Sequence, residues 1–577
     1  MEVELHIELR MAFSTRFAFV ILLMSASTVF AGHPKLSDLN TSEPETLVRV
    51  IVRVKAGTHQ RALDHMKSRG ARHLGSLDLI DSHVMYVRAG DLEQMAESAD
   101  IEQIVPDRQV QGTKYYGGPD YGWMVTEGFT SNGSKLSYDG TGIGIAVLDT
   151  GIGAVADLRN AAGASRIVYS QDFTGGKSGG DNEGHGTMVA GVVAGNGSQS
   201  NMADSTYLIR GTATNANLIA FKVLDDTGTG FDSAVVNAIA QAISLKLKHN
   251  IRVINLSLGR PIASSYLDDP LCQAVKKAWD AGIVVVVAAG NQGRNNTKNT
   301  NGYGTIASPA NSPYVITVGA YNTGSTLPVG DDKMASYSSK GPTNIDHIVK
   351  PDLVAPGNRI LSLRIKNSYL DKAYEENIVP SAAYSASGNH GNGNASYFQL
   401  SGTSFAAPMV SGAAALLIQK NPALTPDQVK AILMKTANRL PQGTSTAVDP
   451  NSGTQYHMTN DIFTVGAGLL NVPGALASQD LITGSAVSPT AVYNAATGVS
   501  LQFPTGSGIV WGSGIVWGSN IVWGSNTLQT NGIVWGSGIV WGSSTNAGFG
   551  IVWGSGIVWG SGSALSESEN VLLNGEN

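Results

Sequence analysis

Gly144-Ile145-Ala146-Val147-Leu148-Asp149-Thr150-Gly151 is an unbroken apolar run that ends in a carboxylate and a glycine turn. A strand that is apolar at every position, not at every second one, has to be covered on both faces. Four more such runs follow, at Leu218–Val223, Val253–Leu258, Ile283–Ala288 and Tyr314–Val318. Between them, Ser233–Lys248 places Val235, Ile239, Ile243 and Leu247 at four-residue intervals, the spacing of one helical face. Buried strands alternating with amphipathic helices predict an α/β unit over residues 140–480, a parallel sheet with helices on both faces. Catalytic groups are then expected beyond the carboxyl ends of the strands, where Asp149 stands.

The 577-residue chain carries 38 basic and 44 acidic side chains, a net charge of −6. Charged residues make up only 14%, with acids in slight excess, which argues against the basic stripe of a nucleic-acid binder. A hydrophobic content of 42% suffices for a sizeable core and excludes wholesale disorder. Cys272 is the single cysteine, so an internal disulfide and a multi-cysteine zinc cage are ruled out.

Residues 1–31 read as an export signal, with Met11 a better start than Met1, because Glu2, Glu4 and Glu8 oppose the usual positive charge. Phe17–Met24 is its apolar core and Val29-Phe30-Ala31 its cleavage site. That core is far shorter than the roughly twenty residues of a membrane span, so the mature chain is expected to be secreted, with no transmembrane segment. Residues 47–110 carry a pattern of their own. Leu47–Val54 (LVRVIVRV) alternates apolar and basic residues as a half-buried strand does. His59–Arg69 and Asp91–Ala99 read as helices, the second capped by Asp91, and Ala71–Leu79, His83–Arg88 and Ile101–Val105 as strands. The order βαββαβ is the split βαβ motif, at a size suited to a folding or regulatory module.

Three short motifs offer a carboxylate, an imidazole and a hydroxyl. Asp149 ends a buried strand, where aspartate is also a common turn residue. His185 lies in Gly184-His185-Gly186-Thr187, opening the small-residue helix MVAGVVAG. Ser404 lies in Ser401-Gly402-Thr403-Ser404-Phe405-Ala406-Ala407-Pro408, ahead of a helix over Met409–Gln419. Singly, His185 is as readily structural, and Ser404 as readily a helix cap. Jointly they supply what acyl transfer needs: a nucleophile, a base to take its proton, and a carboxylate fixing the imidazole tautomer. With DTG, GHGTMVAG and SGTSFAAP in that order, residues 140–480 resemble the subtilases, the subtilisin-like serine proteases.

The resemblance implies a secreted serine endopeptidase that works through an acyl-enzyme, with Asp149, His185 and Ser404 as its triad. It makes Asn291, in Ala288-Ala289-Gly290-Asn291, the side-chain donor of the oxyanion hole. It assigns substrate binding to Gly228-Thr229-Gly230 and Ser257-Leu258-Gly259, between which a polypeptide lies as an added strand. Ser257–Gly259 and Ala288–Gly290 wall the primary pocket and Ala307 floors it; no fixed charge is among them, which favours a large apolar side chain. The βαββαβ module becomes an inhibitory propeptide within residues 32–113, which the precursor cuts from itself between about Gln109 and Tyr116, leaving 114–480 as the peptidase domain. A permanent N-terminal domain is the competing reading of that module. Such chemistry requires no cofactor. Structural calcium accompanies many subtilases, but Asn196–Arg210 offers one carboxylate, Asp204, and no ligand set is identifiable. Lys366–Ser396 is an insertion, a lid or a surface loop. A base at His185 makes activity rise with pH and disfavours a Ser-Glu-Asp acid peptidase.

From Leu481 to Ser566 there is no Asp, Glu, Lys or Arg. After a linker over 481–508, IVWGS recurs seven times within 509–561, always at multiples of six residues, before a tail over 562–577. Six residues are too few for a strand–helix repeat, but suit one edge of a β-solenoid or a short hairpin meander that stacks Ile on Ile and Trp on Trp. A sticky disordered tail is the competing reading. The repeats are expected to serve cell-surface or self-association and to be dispensable for chemistry. They also define the alternative function, an inactive subtilase scaffold that binds surfaces through its tryptophans.

Overall fold

The computed structural model describes residues 33–112, 138–502 and three short strands within 516–530, apart from 37–38, 40–42, 177–179, 201–207, 298, 325–329, 386–394, 439, 441–442, 450–451, 481–483 and 495–497. The signal-like segment, residues 113–137 and the IVWGS copies from Ile533 onward lie outside the described residues.

β1 (Leu47–Val54), α1 (His59–Ser68), β2 (Arg72–Leu77), β3 (Ser82–Arg88), α2 (Leu92–Ala96) and β4 (Ile101–Pro106) form the expected βαββαβ module. Its antiparallel sheet runs β2-β3-β1-β4. Val50, Val52 and Val54 join Met66, Met85, Leu92 and Ile104 in the module's own core. The alternation predicts that the opposite face of β1 meets water, yet apart from Leu47, 64% exposed, that face is largely covered. Ile51 belongs to the apolar cluster of the large domain, Arg49 pairs with Asp107 (2.6 Å) and lies 4.4 Å over the Phe231 ring, and Arg53 reaches Asp268 (3.6 Å). The basic stripe is an interface. Asp91 stands before α2 but makes no side-chain capping bond, because its backbone is already helical (φ −91°, ψ −10°) where a capping residue is extended.

β5 (Gln109–Gly112) leads out of the module. Beyond it come β6 (Gly144–Asp149), β7 (Ile167–Asp172), α3 (His185–Ala194), β8 (Asn217–Lys222), β9 (Thr229–Phe231), α4 (Asp232–His249), β10 (Ile251–Leu256) and β11 (Leu258–Gly259). Next are α5 (Pro270–Asp280), β12 (Val284–Ala288), β13 (Ile316–Asn322), β14 (Lys333–Met334), β15 (Leu353–Pro356), β16 (Ile360–Leu363), α6 (Tyr369–Ala373), β17 (Ile378–Val379) and β18 (Tyr397–Leu400). α7 (Thr403–Lys420), α8 (Pro426–Lys435), β19 (Thr444–Val448), β20 (Gln455–Thr459), α9 (Val472–Ala477), β21 (Thr490–Asn494) and β22 (Gly498–Gln502) complete the domain.

The main sheet runs β7-β8-β6-β10-β12-β13, all parallel, with β15 parallel and β14 antiparallel to β13. Every residue of β6 and β12 is buried, so both faces need cover; α3 packs with α7, α4 with α5, and β10 touches both α4 and α7. β7 and β8 lie on one side of β6, and the later strands β10, β12 and β13 on the other. That reversal opens a crevice at the carboxyl end of β6, which is Asp149.

Ser233–Lys248 is helical, but only the first half of α4 keeps its apolar face inside. Val235 and Ile239 are fully buried, Ile243 partly, and Leu247 is 94% exposed. Each four-residue step overshoots a turn by about 40°, so three steps carry Leu247 about 120° off the face.

The expected linker after Asp480 is, in its described part, a hairpin packed on the large domain. Ala486, Ala491 and Leu501 enter the main core, the Ala491 N–H donates to the His347 carbonyl (2.8 Å), and Ser488 Oγ donates to Asp352 (2.7 Å). Asp352 sits between Lys350 (2.6 Å) and Lys430 (3.0 Å), all three fully buried. Within the repeats, Val516–Trp517 pairs antiparallel with Ile521–Val522, and that strand with Gln529–Thr530, as in a hairpin meander. Among the described residues no helix is long and apolar enough to cross a membrane.

Candidate active site

Asp149 closes β6 and His185 opens α3, both without solvent exposure. Asp149 Oδ1 accepts from the Thr150 N–H (2.8 Å) and lies 2.7 Å from His185 Nδ1. A carboxylate can only accept, so Nδ1 carries the proton and Nε2 is left as the basic nitrogen. The imidazole lies beside Phe405, with ring centroids 5.4 Å apart, which sets it next to the residue following Ser404.

Ser404 is in the first turn of α7, which starts at Thr403 and not at Met409; Gly402 precedes it with φ +142°, a conformation that demands glycine. Pro408 therefore lies inside the helix. Lacking an N–H, it leaves the Ser404 carbonyl without its intrahelical donor. Ser257 takes over: its Oγ donates to the Ser404 carbonyl (2.8 Å), while Ser404 Oγ donates to the Ser257 carbonyl (3.1 Å).

Asn291 follows β12, five per cent exposed. Its Oδ1 accepts from the Thr403 N–H (2.9 Å) and Thr403 Oγ1 (3.0 Å). A backbone N–H can only donate, so the oxygen must face Thr403 and Nδ2 must face away. Nδ2 is buried with no acceptor among the described residues. An orphaned, pre-aimed donor beside the Ser404 helix end, where N–H groups lack intrahelical acceptors, is what an oxyanion needs.

Of the predicted substrate residues, Thr229 and Gly230 lie on β9, and Leu258 and Gly259 on β11. Both strands pair antiparallel with β5, one on each edge: Gln111 opposite Thr229 and Gly259, Val110 opposite Gly230, Gly112 opposite Leu258. The end of the module thus lies as the added middle strand. Val110 is fully buried while Gln109 and Gln111 are exposed, the alternation of a strand lodged in a groove. Gly228 is not paired with β5; it supplies the left-handed turn (φ +71°) ahead of β9. Ala288 ends β12, Ala289 and Gly290 follow it, and the Ala307 N–H donates to the Ala289 carbonyl (3.0 Å). A Cβ at Gly259 would come within 3.0 Å of the Ala307 Cβ, and one at Gly290 within 3.4 Å, so the two predicted walls and the floor do meet.

Three residues escaped the sequence reading. Thr403 orients Asn291, and Thr150 and Asp181 hold the start of α3: the Gly186 N–H donates to Thr150 Oγ1 (2.8 Å) and the Thr187 N–H to Asp181 (2.8 Å). The described part of the 366–396 insertion is anchored and braces the same region, for the N–H groups of Tyr369 and Leu370 donate to the Asn182 (2.8 Å) and Glu183 (3.0 Å) carbonyls. Asp204 lies outside the described residues, and among those described no group of three His, Cys, Asp or Glu could hold a metal ion. Asp157, which meets the 196–200 loop, accepts from Ser198 Oγ, the Gln199 N–H and the Tyr397 hydroxyl, each at 2.8 Å.

The subtilase family pattern matches residues 140–466. Serine protease AprX of Bacillus subtilis (strain 168) is 38% identical over 355 residues, 60% of this chain and 69% of that protein. Subtilisin DY of Bacillus licheniformis is 34% identical over 339 residues, 59% of this chain and 92% of that protein. Fervidolysin from Fervidobacterium pennivorans, a keratinolytic enzyme related to subtilisin, has a crystal structure that aligns with a TM-score of 0.57 at 23% identity. That alignment covers 80% of this chain and 64% of fervidolysin, and is a likeness of fold. With the family pattern spanning more than half its length and relatives named serine protease and subtilisin, this chain belongs to the subtilase family of subtilisin-like serine endopeptidases.

Proposed function

We propose that the chain is the precursor of a secreted serine endopeptidase that cleaves peptide bonds by an acyl-enzyme mechanism and releases itself from its own N-terminal module. Ser404 Oγ attacks the scissile carbonyl carbon, and its proton passes to His185 Nε2 as the C–O bond forms. Asp149 holds the imidazole tautomer and stabilises the imidazolium. Asn291 Nδ2 and the Ser404 N–H receive the oxyanion. His185 then hands the proton to the leaving amine, and water hydrolyses the ester by the same route. Substrate lies between Gly228–Gly230 and Ser257–Gly259, with its side chain against Ala288–Gly290 and Ala307.

The observation that carries this reading is β5. It occupies both predicted substrate strands, and Gly112 faces Leu258, the residue after the Ser257 that bonds Ser404. An N-terminal module whose exit strand fills the cleft supports an inhibitory propeptide, and supports cleavage just beyond Gly112. The inactive-scaffold alternative gains no support from the Asp149–His185 contact (2.7 Å) or from the fixed Asn291 amide, both of which suit a working site. A serine-directed fluorophosphonate is expected to label the processed protein at Ser404, and the Ser404→Ala precursor to stay full length when purified alone. Maturation of that variant in a protease-free preparation, or labelling elsewhere, overturns the proposal.

A further inference from the structure

The first turn of a helix has N–H groups with no partner inside the helix, and its positive end disfavours a cation placed on it. His185, read above as the base that must become imidazolium, is the first residue of α3. Gly184 at the capping position has no side chain to offer, and the three N–H groups are met from elsewhere: His185 by Glu183 Oε2 (2.8 Å), Gly186 by Thr150 Oγ1 (2.8 Å) and Thr187 by Asp181 Oδ2 (2.8 Å). Asp181 does more than cap. Its Oδ1 accepts from Thr150 Oγ1 (2.9 Å), the Glu183 N–H (3.2 Å) and the Gly184 N–H (2.7 Å), and its Oδ2 also accepts from Thr187 Oγ1 (2.6 Å). Each of these partners donates, the pattern of an ionised carboxylate, and the residue is five per cent exposed. Thr150 is bonded to Asp149 through its own N–H, so a continuous path runs from Asp149 through Thr150 and Asp181 to the helix bearing His185. The two backbones are in close contact there, since a Cβ on Gly186 would fall 2.2 Å from the Gly151 carbonyl.

We propose that Asp181 is a positioning residue for the general base. It locks the strand end carrying Asp149 to the helix start carrying His185, and its buried charge offsets the field of that helix end. The other charged groups around it are Asp149 from β6, Glu183 from the same loop, and Lys222 at the end of β8, whose Nζ donates to the Thr150 carbonyl (2.8 Å) and to Asp226 (2.9 Å). The inference rests on His185 acting as base. In the processed enzyme, Asp181→Asn removes the charge and replaces one acceptor oxygen with a donor. It is expected to lower kcat by about 10- to 100-fold with little change in KM. It should also move the acid limb of the kcat/KM profile to lower pH, because imidazolium loses a nearby negative charge. Thr187→Val, which deletes one bond to Asp181 but keeps the charge, should lower thermal stability and leave the acid limb in place. A folded Asp181→Asn enzyme with the wild-type acid limb overturns the inference, even while an inert Ser404→Ala still upholds the reading of the site. Where Asp181→Asn fails to accumulate, Asp181→Glu decides: charge kept and geometry displaced, it should lose kcat with an unmoved limb, and wild-type kcat or a moved limb counts against the proposal.

Discussion

Asn291 keeps a single orientation because Thr403 presents it with donors only, from backbone and hydroxyl alike. Deleting the amide and deleting the group that aims it should therefore act on one step. Asn291→Leu is expected to reduce kcat by about 10²–10³-fold with KM nearly constant, the cost seen on removing this kind of donor from subtilisin itself. Thr403→Val leaves the backbone bond and should cost less, about tenfold, and almost nothing further in an Asn291→Leu background. Steady-state constants for the two single variants and the double variant test this; full additivity means that Thr403 acts elsewhere. Asn291 stood out only through the subtilase resemblance, since an asparagine after an all-apolar strand otherwise reads as a turn residue. Thr403 was not, since a threonine ahead of a serine reads as helix-start polarity, and only the fold brings it to a residue 112 positions away. Asp181 was hidden similarly: a single aspartate in a glycine-rich stretch carries no periodicity, and its five donors converge only in three dimensions.

At the level of elements, the buried strands announced themselves, because continuous apolar runs leave few alternatives. The face of α4 was misjudged at its far end, because a spacing of four drifts from the helical period. The alternation of β1 reads as core against water, but much of its second face meets another domain, a distinction that composition does not carry. The module also holds an element-level titration. His83 on β3 is buried, 3.2 Å from His59 Nδ1 and from Ser76 Oγ, and its ring lies 5.3 Å from that of His73. Burial, then the neighbouring imidazoles, lowers its pKa to about 4 from the usual 6.5. The unfolded module binds that proton more readily, so stability is whole above about pH 6.5 and falls as pH drops toward about 4. In the full-length Ser404→Ala chain, amide exchange across 47–106, corrected for intrinsic rates, should be faster near pH 5 than near pH 7, and His83→Phe should flatten the difference. Equal protection at both pH values removes His83 as the cause.

For the whole molecule, the described packing continues past Asp480 as far as Leu501. Polar, glycine-containing sequence without charge looks like a linker, yet Ser488 joins the Lys350–Asp352–Lys430 cluster, where burial, against the pull of Asp352, lowers the Lys350 pKa to about 7. Ending the chain after Asp480 strips a partner from that cluster and uncovers the surface beneath Ala486, Ala491 and Leu501. Each polar group left unpaired costs about 1–3 kcal/mol. The 480 truncation should therefore melt well below the parent or fail to accumulate, whereas truncation after Gln502 should keep the parent's melting temperature and peptide hydrolysis. Identical melting of the two truncations would remove the hairpin from the folded unit.

β5 has one more consequence, for the arithmetic of latency. Joined to the chain, its four residues meet the cleft at an effective concentration of the order of millimolar, whatever the amount of protein in solution. Under the proposed self-cleavage the tether is lost, and occupancy of the cleft passes to the bulk concentration of the released module. Onset of activity then depends on dilution: a crowded preparation stays self-occupied after the bond is cut, and a dispersed one does not.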